Sequence, residues 1–79
     1  MKNVSHTTAT EFKRLQLKIT GDILRLRKSK KMSQQTLAKK LGTTQSNVAR
    51  MEAGNQNFSL AMLGKLAYTF GKRLEVNFG

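Results

Sequence analysis

The sequence predicts an all-α fold: a compact bundle of five helices followed by a short C-terminal β-strand. Three observations carry this. Apolar residues recur at helical spacings along most of the 79 residues. Ser or Thr precedes, and Gly follows, most of these runs, and these are the residues that start and stop helices. The last stretch switches to strict alternation of apolar and polar side chains, the period of a strand with one buried face. No Pro, internal repeat or low-complexity tract divides the chain further.

Residues 1–10 are polar and read as a flexible N-terminal arm. Phe12, Leu15, Ile19, Ile23 and Leu26 then draw one apolar helical stripe. Gly21 interrupts it, so the stretch is one long weak helix or two, with 20–30 the firmer part; two helices here bring the total to five. Ser33 caps a helix over Gln34–Leu41, with Leu37, Ala38 and Leu41 inward and Gly42 as its stop. Thr44 caps Gln45–Ala53, with Val48 and Met51 inward, and Gly54 ends it. Asn55–Asn57 is a loop. Ser59 caps Leu60–Phe70, with Leu60, Leu63, Leu66 or Ala67, and Phe70 inward, and Gly71 stops it. One domain therefore covers 11–71.

The segment 72–79 reads as a dimerisation strand. Leu74, Val76 and Phe78 alternate there with Arg73, Glu75 and Asn77. A lone strand cannot satisfy its ladder or hide its apolar side. The simplest partner is the same strand of a second copy. The alternative is an extended tail folded against the chain's own helices.

Lys and Arg number 15 against 4 Asp and Glu, a net charge of +11. So large an excess favours a polyanion partner: nucleic acid first, an anionic membrane surface second, an acidic protein third. Its placement is uneven. Residues 1–31 hold nine Lys and Arg and two acids, while 32–58 and 59–79 each hold three and one. The absence of Cys excludes disulfide frameworks and thiolate zinc sites. With one His and four carboxylates there is no nucleophile–base set and no paired carboxylates at plausible spacing, and no Gly-rich phosphate loop occurs. Neither an enzyme nor a bound metal or cofactor is expected. No secretory leader and no run of about 18 apolar residues is visible, so a cytoplasmic protein without a membrane span is expected. A membrane-surface peptide would need one continuous amphipathic helix, and the regular Gly and cap punctuation argues against it.

The informative stretch is Ser33 to Ala53. Two short helices joined by Leu41-Gly42-Thr43-Thr44 form a helix-turn-helix, with Gly42 where the turn needs φ > 0. Ala38 allows close approach of the two helices, and Leu37 and Val48 supply the apolar contact. The second helix turns Gln45, Ser46, Asn47, Ala49 and Arg50 outward, a surface rich in hydrogen-bonding groups and suited to base edges in a major groove.

At this point the chain resembles the Cro/repressor-type (xenobiotic-response-element-like) helix-turn-helix domains. The resemblance rests on Leu26-Arg27, Met32-Ser33-Gln34, Leu37-Ala38, Leu41-Gly42, Val48, Glu52, Gly54, Leu60, Leu63, Ala67 and Phe70-Gly71, and spans 19–71. Thr43, Ala53 and Asn57 depart from the family's usual residues. The resemblance implies a lambda-repressor-like fold that binds double-stranded DNA. Gln45, Ser46, Asn47 and Arg50 match its base-facing positions and Gln34 its phosphate-contacting Gln. The backbone around Asn57–Leu60, entering the last helix and including Ser59, matches the loop that clamps a second phosphate. Thr44, Lys30 and Lys31 are further phosphate candidates, weighed against an ordinary solvated face. Arg27 and Glu52 match a pair that ties helices together, a structural role. Met32, Met51 and Met62 read as core.

The expected function is a transcriptional repressor that binds a two-fold operator as a homodimer, with half-sites about 34 Å apart. The strand and the N-terminal extension also resemble HipB-like and HigA-like antitoxins. The alternative is therefore an antitoxin that neutralises a toxin protein and represses its own operon.

Overall fold

Before Gly21 neither Gly nor Pro interrupts the chain, and each residue added to a nucleated helix gains a hydrogen bond. The result is one helix, α1, over Val4–Ser29. The computed structural model describes residues 4–54 and 56–78, with side chains from residue 10 onward. The segment read as a flexible arm over 1–10 is thus helical from Val4. Its first three residues lie outside the described residues, as do Asn55 of the expected loop and the final Gly of 72–79.

Gly21 does not split α1, so the described residues form four helices and not five. A Gly inside a helix costs only about 1 kcal/mol relative to Ala. That is less than α1 gains by burying Ile23 and half-burying Ile19 and Leu26 against the core. Gly21 is exposed, and a Cβ built on it would meet nothing within 4 Å. Gly21→Ala is therefore expected to stabilise the fold by about 1 kcal/mol, raising the melting midpoint by about 4–8 °C. An unchanged or lower midpoint would contradict the continuous helix.

α1 stops without a glycine. Lys31 adopts the left-handed φ of 56°, its N–H bonds Lys28 O at 3.0 Å, and the Met32 N–H reaches back to Arg27 O at 3.1 Å. This is the Schellman closure that glycine normally provides. The remaining helices are α2 (Gln34–Leu41), α3 (Gln45–Ala53) and α4 (Leu60–Thr69). Ser33, Thr44 and Ser59 each accept a backbone N–H at a helix start, and Gly42 and Gly54 close α2 and α3 in left-handed conformation.

All four helices supply the core: Ile23 from α1, Leu37, Ala38 and Leu41 from α2, Val48 and Met51 from α3, and Leu66 with Phe70 at the end of α4. Met32, Phe58, Met62 and Leu63 pack at its edge. Three residues expected inward are outside. Phe12 and Leu15 lie on the part of α1 ahead of its core contacts, and Leu60 sits on the first turn of α4; they are 49%, 54% and 69% exposed.

The expected strand over 72–78 is also corrected. These residues are exposed and form no ladder. The reason is physical: a strand exists through its paired backbone, and a single copy offers this segment only helices. Leu74 does line a groove with Ile19 and Leu63, so the segment runs back along α1.

Candidate nucleic-acid interface

The α2–α3 turn is closed by its own hydrogen bonds. Gly42 has φ 71°, and the Thr43 N–H bonds Ala38 O at 2.9 Å. Thr44 Oγ1 accepts the Asn47 N–H at 3.1 Å. Asn47 Nδ2 in turn donates to Thr43 Oγ1 at 3.0 Å. The start of α3 is fixed before any ligand arrives. Behind it, Val48 and Met51 are wholly buried, which locks the rotation of the helix. Gln45, Ser46, Ala49 and Arg50 are exposed on the other side. Asn47 is half-buried, and its amide N–H serves the turn.

A second set of contacts joins α1, α2 and α3 at Glu52. Arg27 donates from Nε to Glu52 Oε2 at 2.6 Å and from Nη2 to Oε1 at 3.1 Å. Its Nη1 bonds Met32 O at 2.8 Å, tying the left-handed turn to the same guanidinium. Gln34 Nε2 donates to Glu52 Oε1 at 3.0 Å. The side chains of Arg27 and Glu52 are only 13% and 7% exposed. Burial alone would raise the Glu52 pKa. The hydrogen bonds from Arg27 and Gln34, with the charges of Arg27 and Lys28, outweigh burial and hold the carboxyl below its usual range. The hydrogen bond to Glu52, against the opposing effect of burial, raises Arg27 further above its ordinary value.

The remaining candidates lie around these two clusters. Lys30 and Lys31 are exposed in the turn leading to α2. Ser59 is exposed and caps α4 by accepting the Met62 N–H at 3.0 Å. Asn57 is exposed, and its Oδ1 accepts from Gln16 Nε2 at 3.0 Å.

Gln16 and Thr20 were missed by sequence reasoning. Gln16 Nε2 also reaches Gln56 O at 3.1 Å, so α1 holds the loop between α3 and α4. Thr20 Oγ1 donates to Met51 O at 3.1 Å near the end of α3. Their only sequence signal is an i, i+4 polar pair beside the apolar stripe of α1.

Among the described residues no helix is long and apolar enough to cross a membrane. The helix-turn-helix family model matches residues 23–77, from the buried half of α1 into the C-terminal segment. No curated protein and no solved structure matches the chain. With most of its length matched, and a capped turn presenting the outer face of α3, the chain belongs to the Cro/repressor-type helix-turn-helix family of DNA-binding transcription regulators.

Proposed function

We propose that this chain is a repressor that reads a two-fold operator as a homodimer and acts by occluding a promoter. The observation that carries the reading is α3 itself: one side is sealed into the core, and the other presents Gln45, Ser46 and Arg50 to solvent. Gln45 suits a bidentate pair with adenine and Arg50 one with guanine. Asn47 supports them by holding the turn.

Phosphate contacts fall to groups at the ends of the helices. The Gln34 amide has two N–H donors, and Glu52 takes one, leaving one for a phosphate oxygen. The Thr44 and Ser59 hydroxyls accept a cap N–H and keep their own proton to donate. Lys30, Lys31 and Asn57 complete this set. Arg50 is the only Lys or Arg of α3, so most of the net charge serves the DNA backbone and not base reading. In the homodimer Leu74, Val76 and Phe78 lie in paired C-terminal strands, which supply the missing ladder.

Arg50→Ala is expected to cost about 1–3 kcal/mol on the operator and to relax preference at one base pair. Lys30→Ala is expected to weaken all sequences alike and to lower the salt slope by about one. Titrations of the operator and its single-base variants at several salt concentrations separate the two. Uniform weakening by Arg50→Ala would contradict base reading.

The antitoxin reading draws on a different observation. Phe12, Leu15, Leu60, Tyr68 and Phe78 are all large and exposed, and a toxin protein is one partner that would cover such side chains. A stoichiometric complex with the product of a neighbouring open reading frame would favour it.

A further inference from the structure

We infer that the Phe12–Leu15 end of α1 is part of the surface through which two copies of this chain associate, covered by the C-terminal segment of the second copy. This deepens the homodimer reading and rests on it. In place of an interface made by segments 72–78 alone, it assigns a working role to the length of α1 that the core does not use.

Phe12, Leu15, Ile19, Ile23 and Leu26 form one stripe, yet burial stops partway along it. Ile23 is 3% exposed, and Ile19 and Leu26 are half-buried against the core. Leu15 and Phe12 are about half exposed. At about 1.5 Å per residue α1 is about 39 Å long, so it lies along the 47 Å axis of a molecule whose other dimensions are 24 and 21 Å. Ahead of Ile19, α1 therefore carries a half-exposed apolar face that the core does not cover and that residues 73–77 border on one side.

The C-terminal segment neighbours this stripe. A groove of about 440 Å³ runs between α1 and residues 73–77, with Leu15, Ile19, Leu63, Leu74 and Val76 on its walls. Among the described residues, the half-exposed stripe of α1 and the segment lacking a ladder are thus continuous.

Charge selects the occupant. Lys18 and Arg73 line this groove with Asp22 and Glu75, a net charge of zero on a chain of +11. Lys18 and Arg25 already bond Asp22 at 3.0 and 3.4 Å, and Arg14 approaches Glu11 at 3.8 Å. Three of the chain's four acids lie on α1 or on the C-terminal segment, and the fourth, Glu52, is committed inside. A strongly acidic partner would gain little here. A second copy, repelled elsewhere by its own excess charge, meets an apolar groove of balanced charge and can place its own acids against bases at its edge such as Lys13 and Arg14. None of the proposed base-reading or phosphate residues lies in the patch, so DNA binding is left open.

Sedimentation of the full chain tests this, using Phe12→Asp with Leu15→Asp, and separately Val76→Asp. Both helical substitutions fall on exposed positions, so helical circular dichroism should persist. Expected is a dimer for the unsubstituted chain and self-association weaker by about a hundredfold for the helical double variant. If that variant associates normally while Val76→Asp does not, the inference is overturned and the homodimer stands on the C-terminal segments alone. If the unsubstituted chain is a monomer in solution and binds its operator as one, the homodimer reading itself fails. A second measurement does not depend on a charge introduced into an apolar face. The chain has no Cys, so Leu15→Cys and Val76→Cys variants can be mixed and oxidised. A disulfide joining the two different variants is expected, well in excess of that formed with a Lys65→Cys control. Equal yields for both pairings would overturn the inference.

Discussion

Glu52→Ala is expected to destabilise the fold by about 2–4 kcal/mol, because it leaves the mostly buried Arg27 guanidinium without its carboxylate. Total stability for a chain of this size is of order 5–10 kcal/mol, so the loss is a large share of it. The effect is not local. Glu52 also accepts from Gln34, and Arg27 also holds Met32 O, so the mutual placement of α1, α2 and α3 depends on this one carboxylate. Replacing both partners by apolar residues, as Arg27→Met with Glu52→Leu, is expected to recover most of the loss, since no buried charge is then orphaned. Urea unfolding at pH 7 checks both.

The same pair sets the response to acid. The Glu52 carboxyl is held below its ordinary value of 4.5, so its contribution is complete above that value and is lost as pH falls through the lower, folded one. Stability should be level from neutral to about pH 4.5 and then decline. Asp22 acts in the same direction, lowered chiefly by its hydrogen bond from Lys18, but it is far more exposed. Glu52→Gln should remove much of the acid slope. An unaltered slope would show that the pair is not what acid breaks.

Leu37→Ala is the second large effect. Leu37 is wholly buried between the helices of the motif, and truncating such a leucine costs about 2–5 kcal/mol in lost burial and residual cavity. Because Leu37 helps seat the inner side of α3, operator affinity should fall at temperatures where the variant is still mostly folded. Leu60→Ala is the matched control. Periodicity placed both leucines inward, but Leu60 is 69% exposed, so its loss should change stability by less than about 0.5 kcal/mol. Comparable losses at both sites would contradict the observed core.

The contrast between Leu37 and Leu60 shows where sequence reasoning reaches its limit. Local chemistry was legible. Ser33, Thr44 and Ser59 cap the helices they were expected to cap, and Gly42 and Gly54 stop theirs, because a cap needs only its own few neighbours. The inner faces of α2 and α3 followed from spacing, since both helices are packed along their whole length. What depended on the rest of the molecule was not legible. Gly21 looked like a break and is spanned because α1 is anchored beyond it. Lys31 takes a left-handed turn that nothing in its residue type announces. Gln16 meets the loop residues Gln56 and Asn57 across about 40 positions, a contact without local signal. Alternation over 73–78 indicates one face to be covered but not by what. At the candidate site, Asn47 shared its outward position with Gln45 and Ser46, and only the turn geometry shows its amide engaged with Thr43.

The central claim is that the exposed face of α3, held by the capped turn and the Glu52 cluster, reads base edges in a symmetric operator. Selection of bound sequences from random double-stranded DNA, carried out with the full chain, tests it most directly. Expected is enrichment of an inverted repeat whose half-sites lie about one helical turn apart, with Arg50→Ala losing preference at one position in each half-site. Recovery of DNA without any enriched motif, bound equally by the chain and by Arg50→Ala, would contradict it.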